Sequence, residues 1–422
     1  RLEYQEGLLK GLQKTTREQE QLDETFEELQ RMRKEKDALN FEDKQKLKEF
    51  LKRQENQEKL MEKFSRELAE SLEETRSDEE TALLKERLER QEAQAKKNAA
   101  LMEEIQKILD KLDQEAFEER MEEVTKSQKG SQRNMQQLLE LTKRYYVQQK
   151  SRQLARELSK LSEQQELFSE SRPEEEFNTE EQKKLNEQFQ ELRKALADLE
   201  EDNNALKKPL SWERDVQKEN SIQKDQKEAL EQMNQQEGDA QASDREKVQK
   251  ENGASEKQRN AARKLRELSE QLDQGASGGG AESIAEDAEM LRQILDNLVT
   301  FSMEQERLFS KVQDLDESAA SHSADIRKQK ELRALFEHVD DSLFALSLRR
   351  AEISEVINTQ ITDVYYNIDK GLESMGNNNW YRGASYQQYV ITATNELSSF
   401  LAELLDNMQQ SLMPGQGHGG GG

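Results

Sequence analysis

Residues 8–29 read Leu8-Leu9-Lys10-Gly11-Leu12-Gln13-Lys14-Thr15-Thr16-Arg17-Glu18-Gln19-Glu20-Gln21-Leu22-Asp23-Glu24-Thr25-Phe26-Glu27-Glu28-Leu29. Leu8, Leu12, Leu22, Phe26 and Leu29 fall on alternating three- and four-residue steps, and Thr15 and Gln19 fill the intervening positions of the same series. That spacing puts all seven on one narrow face of a helix, which buries its stripe against a partner helix. The remaining positions are mostly Glu, Lys, Gln and Arg, which favour helix without help from packing. Gln19 on the stripe costs stability but helps to fix register. The series breaks after a few turns, which predicts short antiparallel bundles in preference to one long rod.

The same logic extends along the first half of the chain. Residues 1–237 contain only Gly7, Gly11 and Gly130, and only Pro173 and Pro209. Breaks between helices read as caps. Asn40-Phe41-Glu42-Asp43 is an N-cap with an acidic first turn, and Ser77-Asp78-Glu79-Glu80 is a capping box. Lys129-Gly130-Ser131 reads as a helix stop. Asn178-Thr179-Glu180-Glu181 opens another helix, Pro209 ends it, and Ser211-Trp212-Glu213 begins the next. Successive helices joined by short loops fold back as hairpins. A weak echo links Gln19–Phe26, Gln57–Phe64 and Gln305–Leu308. It fits either biased composition or duplicated helical hairpins.

The composition sets the outer limits. Of 422 residues, 32% are hydrophobic and 36% charged, with a formal net charge of -25, three Pro, three His and no Cys. A disulfide scaffold, a thiolate metal site and a cysteine nucleophile are thereby excluded. A mean hydropathy of -1.12 leaves too little apolar surface for several ordinary globular cores. Long helices that each bury one stripe resolve that shortage. The acidic balance disfavours nucleic acid and anionic lipid as partners and favours basic ones. No apolar run approaches the roughly 20 residues needed to cross a bilayer. The chain starts without Met and without a signal-like run, so it is expected to be a piece of a longer protein.

Four regions follow. Residues 1–237 are expected as long helical hairpins or coiled coil. Residues 238–280 are expected as one helix between flexible linkers, with turns at Asn234–Asp239 and Glu251–Ser255 and a Gly-rich linker at Gly275–Gly280. Residues 281–412 form a C-terminal helical bundle, and 413–422 a disordered Gly-rich tail. The bundle assignment rests on apolar density: 9 hydrophobic residues in 291–310 and 10 in 331–350, against 5 in 211–230. Its helices are placed at 282–316, 324–349, 352–374 and 384–412, with Asn377–Gly383 as the loop before the last. The fold class is all-α.

No catalytic, cofactor or metal site is read from the sequence. Carboxylate pairs are abundant, but none is marked as an acid–base dyad. His338 and Asp341 lie three apart, with Glu337 and Asp340 beside them, yet no second Glu-x-x-His partner appears. Asp340 and Asp341 can instead cap a helix or pair with Arg349 or Arg350. His322 sits in a loop-like stretch. Gly278-Gly279-Gly280 lacks the Lys-Ser/Thr of a P-loop and is followed by Glu282. Basic doublets such as Lys183-Lys184 lie among acids and form no patch. The informative cluster is aromatic: Tyr365, Tyr366, Trp380, Tyr381, Tyr386 and Tyr389. Tyr and Trp favour interfaces with a dry core and a wet rim. These six either dock a partner protein through the Trp380 loop or cap the C-terminal bundle.

The C-terminal third also resembles a known family. Met290-Leu291-Arg292-Gln293-Ile294-Leu295-Asp296-Asn297-Leu298-Val299-Thr300-Phe301-Ser302 carries the likeness, with Val339–Arg349, Ile361–Asn367 and Ser385–Tyr389. Residues 120–275 are similar more loosely, through Asn260–Leu265. The family is a domain-of-unknown-function group of large, inner-membrane-anchored coiled-coil proteins from Bacteroidetes. The resemblance implies transmembrane helices in a part of the protein outside this chain, and a long region on the periplasmic side of the inner membrane. It brings no catalytic residues. The expected function is then non-enzymatic scaffolding of the cell envelope by helical spacing and protein docking. Envelope-complex components or self-association would supply the partners. The alternative is an adaptor or regulatory subunit of an envelope machine of secretion or motility type.

Overall fold

The computed structural model describes residues 2–35, 40–73, 79–111, 114–170, 179–238, 244–276, 281–313, 319–350, 352–353 and 355–412. These residues are helical almost throughout and contain no strand. In chain order the helices are α1 (Leu2–Glu35), α2 (Phe41–Glu73), α3 (Glu79–Lys111), α4 (Gln114–Glu170), α5 (Thr179–Asn204), α6 (Val216–Gly238), α7 (Asp244–Ala276), α8 (Ala281–Gln313), α9 (Ala319–Ser347), α10 (Glu355–Gly376) and α11 (Trp380–Leu412). The chain divides into two units. One comprises Arg1–Lys143 with Ile284–Gly422, the other Arg144–Ser283. This partition differs from the linear one read from composition, because the first and last parts of the chain share a unit. The tail 413–422, the Ser77 cap and most of the 275–280 linker lie outside the described residues.

In the first unit, α1 to α3 and the first half of α4 bury Leu22, Phe26, Leu29, Leu47, Phe50, Leu51, Met102, Ile105, Phe117, Met121 and Val124 together. Phe26 stacks on Phe50 with ring centroids 5.3 Å apart. The Asn40 cap is formed as expected. Its Oδ1 accepts from Asp43 N at 2.8 Å, and its N donates back to Asp43 Oδ2 at 3.1 Å. The second core lies among α8 to α11, from Leu291, Leu298 and Phe301 to Phe336, Val364, Val390 and Leu401. Its helices begin and end within a few residues of the places read from the sequence. His322 and Trp380, read as loop residues, are helical instead.

A buried polar knot joins these two parts of the unit. Arg87 on α3 donates to Ile353 O at 3.0 Å and to Gln137 Oε1 on α4 at 2.5 Å. Gln137 donates onward to Ser347 Oγ at 2.7 Å, and Asn358 on α10 donates to Gln137 Oε1 at 2.6 Å. Every polar group taken from water here finds a counterpart, which the low local dielectric demands.

The second unit is built from the second half of α4 with α5, α6 and α7. Serine hydroxyls clasp α4 to α7: Ser151 donates to Leu272 O, Ser162 to Ala262 O, Ser269 to Ala155 O and Ser255 to Ser169 O. From Ser162 outward the paired positions step by seven residues in opposite directions along the two helices. This is an antiparallel heptad seam of small residues, which lets the backbones approach closely.

Three expected breaks fall elsewhere. Helix α4 runs straight through Gly130. A mid-helix glycine costs about 1 kcal/mol, less than is gained by burying Val124, Met135 and Leu138 around it. Asn252-Gly253 is likewise inside α7. A Cβ on Gly253 would come within 2.6 Å of Gln232 Oε1, so this glycine accommodates the approach of α6 and makes no turn. Helix α6 starts at Val216, after the expected Ser211–Glu213, because Asp215 is its cap: Lys218 N donates to Asp215 Oδ1 at 2.8 Å.

Candidate functional site

The α10–α11 turn is built by three asparagines. Asn378 has φ 60°, a left-handed conformation that Asn tolerates better than most residues. Asn379 N donates to Ser374 O at 2.8 Å and Asn378 N to Met375 O at 3.1 Å. These two bonds close α10 as a Schellman motif. Asn379 then caps α11, with its Oδ1 accepting from Arg382 N at 3.3 Å. Gly383 packs against Met375 so closely that a Cβ would lie 2.6 Å from Met375 Cγ. The tip is therefore a fixed corner that aims the start of α11.

The six aromatic candidates separate at this corner. Trp380 is buried and stacks on His322 at 4.1 Å between centroids. Tyr365 is half-buried, donates to Asp340 Oδ2 at 3.1 Å and meets Phe336 edge-on at 5.2 Å. Tyr366 donates to Glu122 on α4. Burial first, then the facing carboxylates, holds both phenols above the ordinary tyrosine range, so they are neutral donors at physiological pH. These three cap and brace the bundle. Tyr386 is intermediate: Arg382 donates to its hydroxyl at 3.3 Å, and its ring meets Tyr389 edge-on at 6.5 Å. Tyr381 and Tyr389 face outward, 88% and 59% exposed.

Tyr381, Ser385, Gln388, Tyr389 and Thr392 follow helical spacing along one accessible stripe of α11. From Gly383 to Asn395 the chain carries no charged residue, although 36% of the whole is charged. Loss of charge together with retained Tyr is the composition of an interface core. The pattern is visible in the sequence as a gap in charge. Counting aromatics alone passes over it.

Asp340, Arg349 and Arg350 have structural partners. Asp340 is buried against Arg133 of α4, and Arg133 also lies over the Phe344 ring at 5.0 Å. Arg349 and Arg350 both pair with Asp287 of α8, at 2.5 and 2.6 Å, and not with Asp340 or Asp341 as one reading allowed. Among the described residues no group of three His, Cys, Asp or Glu is placed to hold a metal ion.

Each bundle also buries a layer of side-chain amides. In α8–α11, Gln305 and Gln329 exchange bonds at 3.1 and 2.8 Å, and Gln387 donates to Gln329 at 2.9 Å. In the second unit, one glutamine from each helix takes part. Gln165 and Gln182 exchange bonds at 2.9 and 3.1 Å, Gln226 donates to Gln165 and Gln258 to Gln182. In α1–α3, Gln19 and Gln54 exchange bonds at 3.3 and 3.1 Å. This last layer also holds Glu58, whose Oε1 accepts from Gln54 at 3.1 Å and from Asn98 at 3.2 Å. Burial pushes the Glu58 carboxyl up to about 7, and the charge of Asp23 adds to that; the two amide donors act in the opposite direction.

Compared with family models, with curated proteins and with solved structures, the chain matches none. No helix among the described residues is long and apolar enough to cross a membrane.

Proposed function

We propose that the protein is a non-enzymatic scaffold that docks a protein partner through the charge-free aromatic face of α11. The observation that carries this reading is the pairing of exposed Tyr381 and Tyr389 with the uncharged stretch Gly383–Asn395. A rigid corner presents that face, so little ordering entropy is lost on binding. The amide layers fit the same role. They fix helix register and hold a spacing, and do not arrange groups for bond chemistry. Location at the periplasmic side of the inner membrane rests on the sequence resemblance alone. Fractionation of cells producing the full-length protein tests it, and recovery away from the envelope abandons it.

The docking test uses photo-crosslinking side chains at positions 381 and 389 of the full-length protein in its own cells, with position 403 as an exposed control. Crosslinks concentrated at 381 and 389, and lost when the other tyrosine is changed to Ala, support the reading. Equal crosslinking from Glu403 removes it. Trp380 is the wrong residue to change, because its burial against His322 confounds docking with folding.

A further inference from the structure

We propose that the α1–α3 helices form a proton-coupled element, in which Glu58 holds a proton while the helices are packed and releases it as they separate. Glu58 is 3% exposed, and its Oε2 is buried with no hydrogen-bond partner. Among the described residues no lysine or arginine pairs with it. The groups that face it are Gln54 on its own helix, Asn98 on α3 and, by its charge, Asp23 on α1; among the described residues no charged group of α4 acts on it. On its own helix the neighbouring Glu55 and Glu62 are turned to Lys59 and Arg66. An ionised Glu58 is therefore a buried anion held by amides alone and repelled by a second carboxylate. Protonation removes the repulsion and turns Oε2 from an acceptor without a donor into a donor.

The geometry assigns the consequence to a particular place. Glu58 sits where α2 meets α3 through Asn98, one turn from the Gln19–Gln54 exchange that joins α1 to α2. Its charge state bears on both helix contacts at once. Above neutral pH the packed arrangement loses advantage over the separated one. Below neutral pH it gains.

Hydrogen exchange read by mass spectrometry on the full chain tests this, with rates corrected for intrinsic pH dependence. Protection of peptides from α1 and α2 is expected to fall about 30-fold between about pH 5.5 and 8.5. Glu58→Gln should leave that protection flat across the same range. Asp23→Asn should move the fall to lower pH, and supplies the test if Glu58→Gln fails to pack. Parallel profiles for wild type and Glu58→Gln overturn the proposal, as does a profile that Asp23→Asn leaves unmoved. Protection that follows Na⁺ or K⁺ concentration and ignores pH also overturns it, in favour of a cation held at the same carboxylate.

Discussion

Two glutamates, one in each unit, are buried in opposite ways. Glu219 in the second unit is wholly buried, and Arg214 grips both of its oxygens, Nε to Oε1 at 2.7 Å and Nη2 to Oε2 at 2.8 Å. Arg193 adds a third bond to Oε2 at 3.1 Å and spends its other nitrogens on Asn220 and Gln223. Glu58 in the first unit has only amides. A buried carboxylate with matched cations is a clasp whose loss strands the cations. One with amides alone is a titrating group whose loss relieves the fold.

The largest test of this contrast is Glu219→Ala. It leaves Arg193 without its anion and Arg214 with only Glu200, at 3.6 Å, and the expected cost is about 3–5 kcal/mol. Exchange protection should collapse in α5 and α6. A cost below about 1 kcal/mol would mean that the pair is solvated and that the contrast fails. Next in size is the opposite effect at Glu58. Its carboxyl is raised from 4.5 to about 7 on folding. For a raised carboxyl, the stabilising contribution is complete below the unfolded value and is lost as pH rises through the folded one. The stability difference between Glu58→Gln and wild type should therefore swing in favour of the variant by about 2 kcal/mol from about pH 5.5 to 8.5. Urea denaturation at the two pH values measures it.

Both glutamates lie on seams of alternating three- and four-residue steps, a pattern present in the sequence. Leu47, Leu51, Gln54, Glu58, Met61, Ser65, Leu68 and Leu72 form one series, and Glu219, Ile222, Gln226, Ala229 and Met233 form another; all are buried. A charged residue in step with such a series is a sequence-level sign of a buried charge. Its partner is not legible, because Arg193 comes from a different helix, and nothing in local spacing says which side chains meet across helices. The same limit applies to Gln19: its place on a seam was readable, whereas its exchange with Gln54 was not. The helices were legible because propensity and periodicity agree along them. The aromatic candidates were only partly legible. Burial of Trp380 and Tyr365 depends on where His322, Phe336 and Asp340 fall in space.

Glycines sharpen the comparison at a smaller scale, since the two units use them against different neighbours. A Cβ on Gly11 would lie 2.5 Å from the Phe64 ring, a rigid group that must turn or shift as a whole to make room. Gly11→Ala should cost about 1–3 kcal/mol through overpacking. A Cβ on Gly253 meets the tip of Gln232, whose Oε1 makes no hydrogen bond that would have to break. Gly253→Ala should be neutral or stabilise by up to about 1 kcal/mol, because helix propensity favours Ala. Thermal unfolding of the two variants decides this. Equal losses would show that α6 and α7 are packed as tightly as α1 and α2.

The smallest effect concerns the serine clasps between α4 and α7. Ser162 Oγ donates to Ala262 O at 2.7 Å, and Ser269 Oγ to Ala155 O at 2.7 Å. Each carbonyl lies inside a helix, where the chain's own amide also reaches it, so removing the hydroxyl does not orphan the acceptor. Ser162→Ala and Ser269→Ala should each cost about 1 kcal/mol or less. The sites are seven residues apart along each helix, about 10 Å at 1.5 Å per residue. Independent clasps would give a double variant whose cost is the sum of the two. A double cost well above the sum would mean that either clasp alone holds the antiparallel register and that the seam slips only when both are gone. The small-residue seam would then act as a register lock for the second unit, the work that the arginine-gripped Glu219 does for α5 and α6.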